Sequence, residues 1–162
     1  MPTDHTIGAT TFTTPSDLEL VMTRVFDAPR RLVFAAWTNP AHLPHWMLGP
    51  ADWTMTVCEI DLRPGGAWHF AWRHTNGSEM GMSGVYREIV PPERLVSTEN
   101  WGGGWPETLN ALVLSEEAGK TTLAITLLYP SKEARDKALQ KGMTKGVSAS
   151  YDRLDEHLRT MA

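Results

Sequence analysis

Cysteines, excess charge and long apolar runs are what this sequence has least of. One cysteine, Cys58, stands among 162 residues, which leaves no internal disulfide framework and suits a reducing compartment. Cys58 lies in a strand-like segment without a nucleophile signature and reads as a small buried apolar side chain. No stretch reaches the roughly 20 consecutive apolar residues of a bilayer-crossing helix. The N-terminal MPTDHTIGATTFTTPSD has neither the basic nor the apolar region of a secretion signal. The expected setting is therefore cytoplasmic, without membrane insertion. A net charge of −4 gives no electrostatic footprint for a phosphate backbone, so nucleic acid is not an expected partner. Lys137, Lys141 and Lys145 do form a helical stripe, but Glu133, Asp136 and Asp152 lie in the same segment, the pattern of a solvated helix face.

Metal-ligand and nucleophile patterns are equally sparse. His42 and His45 have helical spacing, but Pro44 lies between them and no further Cys/His pair completes a set of three or four ligands. No metal and no cofactor is expected. His69 and His74 have opposite strand parity and do not converge while that strand is regular. Gly102-Gly103-Gly104 lacks the Lys-Ser/Thr of a phosphate loop and reads as a flexible connection between Trp101 and Trp105. Glu59, Asp61, Glu79, Glu88 and Glu99 are scattered over several strands, and spacing alone does not bring any two together as an acid/base pair.

What the chain does have is 41% hydrophobic residues, enough to bury one core without staples. Residues 1–15 read as a loose polar leader, followed by a single domain over 16–162. "LELVMTRVF" alternates as a strand. Asp27 is placed to cap a short helix with Pro29 in its first turn and Val33, Phe34 and Trp37 on one face. "PAHLPHWM" suggests a brief, irregular second helix. Between residues 53 and 129 about six strands follow, separated by Pro64-Gly65-Gly66, Asn76-Gly77, Pro91-Pro92 and a turn at Gly119. Asp61 or Arg63 is expected to hold the first of these turns. Ser131 then caps one long helix, with Leu139, Met143, Val147, Leu154, Leu158 and Met161 on the face turned to the sheet. Gly142 and Gly146 lie inside that helix, Gly146 and Ser150 at the edge of its buried face. The volume they save is either close backbone approach or empty room.

The densest feature is "GGAWHFAWRHTNG", where Trp68, Phe70 and Trp72 occupy every second position. In a strand these rings share the inward face while His69 and Arg73 point away. Together with Trp46, Met47, Trp101, Trp105 and Met143 they make either a packed aromatic core or the wall of a pocket for an apolar ligand.

The words "TRVFDAPRRLVFAAWTNPAHLPHWMLGP", "VCEIDLRPGG", "GVYREIVPPERLV" and "YPSKEARDKALQKGM" resemble the family related to the C-terminal domain of the activator of the heat-shock-protein-90 ATPase. That family lies within the superfamily of START domains, polyketide cyclases and the birch-pollen allergen. The resemblance runs from Ser16 to Leu158. It implies an α+β helix-grip fold, a curved antiparallel sheet of about seven strands wrapped around a long C-terminal helix, with two short helices after the first strand. It also implies a cavity between sheet and helix, with Gly146, Val147 and Ser150 on the helix side. Many relatives carry Gly-Trp where this chain has Gly146-Val147, and "WWGP" where it reads Trp46-Met47-Leu48-Gly49-Pro50. The activator itself has a separate N-terminal domain, for which this length leaves no space. The leading functional expectation is binding of a small apolar or lipid-like molecule without chemistry of its own, by a monomer or homodimer. The alternatives are a co-chaperone-like partner of heat shock protein 90, and a cyclase-like or hydrolytic enzyme using a cavity carboxylate or histidine.

Overall fold

In a computed structural model, residues 5–161 are described. They form one antiparallel sheet whose strands run, in chain order, β1 (His5–Ile7), β2 (Thr10–Thr13), β3 (Glu19–Phe26), β4 (Trp53–Ile60), β5 (Ala67–His74), β6 (Glu79–Val90), β7 (Arg94–Glu99), β8 (Thr108–Glu117) and β9 (Lys120–Leu128). In space the order is β1-β2-β3-β9-β8-β7-β6-β5-β4. Two short helices, α1 (Arg30–Thr38) and α2 (Leu43–Trp46), follow β3, and α3 (Lys132–Gln140) and α4 (Met143–Met161) close the chain. This is the α+β helix-grip arrangement, with nine strands among the described residues where about seven were expected.

The two additional strands come from the supposedly loose leader. Thr10, Phe12 and Thr14 alternate inward and are buried, Phe12 completely. Thr11, Phe12 and Thr13 pair with Thr23, Met22 and Val21. An unpaired edge of β3 is an open ladder, and a β-branched segment with one aromatic is sufficient to close it. Only residues 1–4 of the leader lie outside the described residues.

Two helix boundaries also differ from expectation. Pro29, not Asp27, occupies the N-cap of α1, and no side chain caps it. The final helix is two: Gly142 adopts φ +77°, and this left-handed conformation ends α3 at little steric cost. Ser131 does cap α3, its hydroxyl accepting from the Ala134 N–H at 3.1 Å. Arg63 Nε donates to Asp61 Oδ2 at 2.8 Å across the turn before β5. Cys58 is half-buried rather than enclosed, and burial pushes its thiol pKa up.

Gly84 in β6 marks the tightest approach in the sheet. A Cβ there would stand 1.9 Å from the Thr98 carbonyl oxygen and 2.7 Å from the Trp68 ring, so only glycine lets the strand cross under that indole. Among the described residues no helix is long and apolar enough to cross a membrane.

α4 is held chiefly by its C-terminal half. It contacts α1, α2, α3 and the strands β1 and β2 at one end of the sheet. Leu154 and Leu158 are fully enclosed, and Tyr151 sits among Phe26, Trp37 and Trp46 at ring separations of 6.1 to 6.4 Å. Arg24 of β3, itself buried, donates to Asp152 Oδ1 at 2.7 Å. Earlier in the helix the same apolar stripe is less covered, Met143 and Val147 being only half-buried. The stripe therefore packs at one end and faces open space at the other. A helix resting flat on the sheet, as expected from its periodicity, would bury both ends alike.

The outer surface of α4 carries a feature that the sequence hid. His157 meets both histidines of the α2 region: its Nε2 lies 2.9 Å from His42 Nδ1, and its ring stacks on His45 at 5.1 Å. The set is a histidine trio rather than an isolated pair, although among the described residues no group of His, Cys, Asp and Glu has the arrangement to hold a metal ion. Burial, then the neighbouring His42 and His45, lower the pKa of His157 below its ordinary 6.5. A depressed histidine binds its proton more readily in the unfolded chain, so its contribution to stability is intact above about pH 6.5 and is lost as pH falls below it. Urea midpoints of the wild type are expected to fall between neutral pH and pH ~5, with a smaller fall in His157→Gln. Equal slopes in the two proteins would remove this residue from the acid sensitivity.

Candidate functional site

The open space beside Met143 and Val147 is a cavity of about 760 Å³. Strand parity builds one wall. On β5, Trp68, Phe70 and Trp72 turn inward and are buried, while His69 and Arg73 are exposed, so the register expected from the ring spacing is the observed one. Leu95, Ser97 and Glu99 of β7 and Thr108, Asn110 and Leu112 of β8 continue this wall, again at every second residue. The opposite wall is α4, through Met143, Gly146, Val147, Ser150 and Tyr151.

A third side is the segment after α2, pinned from both walls. Trp72 Nε1 donates to the Met47 carbonyl at 2.7 Å. The Gly49 N–H donates to Ser150 Oγ at 2.7 Å, and Arg153 Nη1 donates to the Gly49 carbonyl at 2.6 Å. Gly146 belongs to this contact: its missing Cβ would meet Pro50 Cδ at 3.3 Å. Its small size thus serves close packing on Pro50, while the open room lies at Val147.

The mouth is rimmed by the loop from Trp101 to Trp105, whose three glycines all have positive φ, and by the α3–α4 break. Trp101 stacks on Trp72 with ring centres 5.7 Å apart, and Lys137 Nζ lies 5.3 Å above the Trp105 ring. The glycine run is therefore a turn that sets two indoles at the entrance. All eleven expected lining residues (Trp46, Met47, Trp68, Phe70, Trp72, Trp101, Trp105, Met143, Gly146, Val147 and Ser150) lie on the wall of this one cavity. Trp46 is the most core-like of them: it is completely buried, its indole N–H is given to the Ala36 carbonyl at 3.0 Å, and its ring stands edge-on to Trp37 at 4.7 Å.

Sequence reasoning did not single out the polar centre. Glu99 faces the cavity, with Trp101 Nε1 donating to Oε1 at 2.8 Å and Asn110 Nδ2 donating to Oε2 at 2.6 Å. Thr108 Oγ1 donates to Asn110 Oδ1 at 2.8 Å and so orients the amide. Burial raises the Glu99 pKa above the ordinary carboxylate range, and the two N–H donors oppose that rise. Tyr129 and Tyr151 are near enough that the Glu99 charge adds to burial in raising their pKa values. The signal was available in "RLVSTE" and "TLNALVL": period-two reading puts Ser97, Glu99, Thr108 and Asn110 on the face of Leu95 and Leu112. The indole N–H groups of Trp37 and Trp68, both on the cavity lining, are buried without a partner among the described residues.

The other carboxylates and histidines do not join Glu99. Glu79 stands at the rim, paired with Arg73 at 2.7 Å. His74 packs edge-on against Trp53. His69 lies opposite Glu59 in the β4–β5 register, on the outer face of the sheet. An acid/base pair within the ring-lined space is therefore not assembled from these residues.

A family model described as Activator of Hsp90 ATPase homolog 1-like protein matches residues 27–159. Among solved structures, a protein from Rhodobacter sphaeroides is similar at 32% sequence identity and a TM-score of 0.86, over 93% of this chain and 99% of that one. A Nitrosomonas europaea protein aligns at 23% identity and TM-score 0.81, covering 91% and 98% of the two chains. An Arthrobacter aurescens protein aligns at 20% identity and TM-score 0.82, covering 96% and 93%. These last two likenesses are of fold alone. No curated protein matches the chain.

Proposed function

The chain belongs to the Activator of Hsp90 ATPase homolog 1-like family, and from that membership together with the cavity we propose that it binds a small, mostly apolar molecule between the sheet and α4. The observation that carries this reading is the cavity itself. Its volume of about 760 Å³ falls inside the range of roughly 300–1,000 Å³ typical of small-molecule sites. Its walls are rings and methionines with one polar centre, the composition such sites share. A chain selected only for stability would fill that space, since close-packed interiors gain dispersion contacts that an empty volume forgoes.

Binding a chaperone through the outer surface is the second reading that the family's description permits. It places no demand on the interior. Ligand binding is preferred because it accounts for the uncovered stretch of α4 at Met143 and Val147 and for the indoles gathered at the mouth.

The test is native mass spectrometry of the protein purified from its own host, followed by titration of the stripped protein with a hydrophobic fluorescent probe. A bound small molecule that leaves on denaturation, and saturable quenching of the probe, are the expected results. Bare protein mass together with no saturable probe binding would overturn the reading.

A further inference from the structure

We propose that the molecule held in this cavity is a lipophilic amine, bound in its protonated form with its N–H groups on the Glu99 carboxylate and its apolar body among the rings of β5 and α4. The inference rests on the cavity being a ligand site and names the chemistry of its occupant.

Three observations lead to it. Glu99 is the acid that faces the interior, and no ion pair among the described residues includes it. Both its oxygens already accept an N–H, from Trp101 and from an Asn110 amide locked by Thr108. That donor pair suits an ionised carboxylate, which keeps accepting capacity beyond the two bonds it already makes. Glu99 is half-buried; a carboxylate withdrawn from water without a countercharge is costly, and a cation brought by the ligand reduces that cost.

The surroundings favour the same sign of charge. Trp101, which donates to the carboxylate, stacks on Trp72, and Tyr129 and Tyr151 line the same cavity. Ring faces are electron-rich and attract a cation in a desolvated site. The basic side chain on the cavity lining is Lys141, exposed at the mouth, and Lys137 is engaged over Trp105. An anionic ligand would meet Glu99 as a like charge. A neutral one would supply no countercharge, and the carboxyl would be neutralised by a proton instead.

The experiment compares decylamine, decanol and decanoic acid by isothermal titration calorimetry at neutral pH, each below its micellar concentration. Decylamine is expected to bind about tenfold tighter than decanol, with decanoic acid weakest. In Glu99→Gln, whose fold is checked by circular dichroism and thermal midpoint, the amine is expected to fall to the affinity of the alcohol, and the alcohol to change by less than about twofold. The wild-type comparison decides the matter even if the variant fails to fold. Equal binding of amine and alcohol, tightest binding of the acid, or an amine preference that survives in Glu99→Gln would overturn the amine assignment while leaving the ligand-binding reading in place. Failure of all three compounds to bind would overturn both.

Discussion

Val147→Trp is expected to lower the affinity of a hydrophobic fluorescent probe by on the order of a hundredfold while leaving the fold intact. Val147 is half-buried on the cavity face of α4, opposite the rings of β5. An indole there occupies the space that a ligand would use. Displacing about 100 Å² of apolar contact at ~25 cal/mol per Å² removes about 2.5 kcal/mol, close to that fold-change. Because the ring enters open volume, the unfolding free energy is expected to change by less than about 1 kcal/mol. If the rings were only a closed core, the same substitution would overpack it at a cost of about 1–3 kcal/mol with no effect on probe binding. Urea unfolding and probe titration on one preparation separate these outcomes. Gly146→Trp is the contrasting variant. Its side chain starts against Pro50, so it is expected to lose stability by displacing the 47–50 segment.

Trp46→Ala is expected to be the most destabilising of the single ring deletions, by about 3–5 kcal/mol. Trp46 is completely enclosed, hydrogen-bonded to the Ala36 carbonyl, and in contact with Trp37 and Tyr151. It joins α1, α2 and α4, which together hold α4 in place beyond the cavity. Its removal leaves a void at that junction and lets the helix settle toward the sheet. Trp46→Phe keeps much of the ring and loses the hydrogen bond, so its cost is expected to be smaller, with a hydrogen-bond share of about 1 kcal/mol. The measurement is the urea midpoint with the slope checked for constancy. A Trp46→Ala loss below about 1 kcal/mol would show that the junction is not what positions α4.

Strand parity was legible because it is local: successive side chains alternate whatever the strand later pairs with. The spacing of Trp68, Phe70 and Trp72 therefore sets them inward, and the same rule applied to "RLVSTE" sets Glu99 on the face of Leu95. The order of the leader is not legible in its polarity, because it depends on a partner strand. Thr10 and Phe12 are ordered by the edge of β3 and by α4, neither of which their own neighbours specify. The helix break at Gly142 is intermediate. A glycine permits a left-handed turn there, but a helical interior also tolerates one at a cost of about 1 kcal/mol, so the spacing of apolar residues on either side did not decide it.

The family words, the parity of each strand, the helix cap at Ser131 and the inward set of rings are thus properties of the sequence by itself, since each depends on residues a few positions apart. Convergence is different. His157 reaches His42 across 115 positions, and Glu99 stands between Trp101, Asn110, Tyr129 and Tyr151 on separate elements. Whether the small residues of α4 marked close approach or empty room depended on where the 49–50 segment runs: Gly146 is filled by Pro50, and Val147 is not. Tertiary structure decided these because the space between two packed surfaces belongs to neither segment alone. It is set by the helices that hold α4 at one end and leave it uncovered at the other.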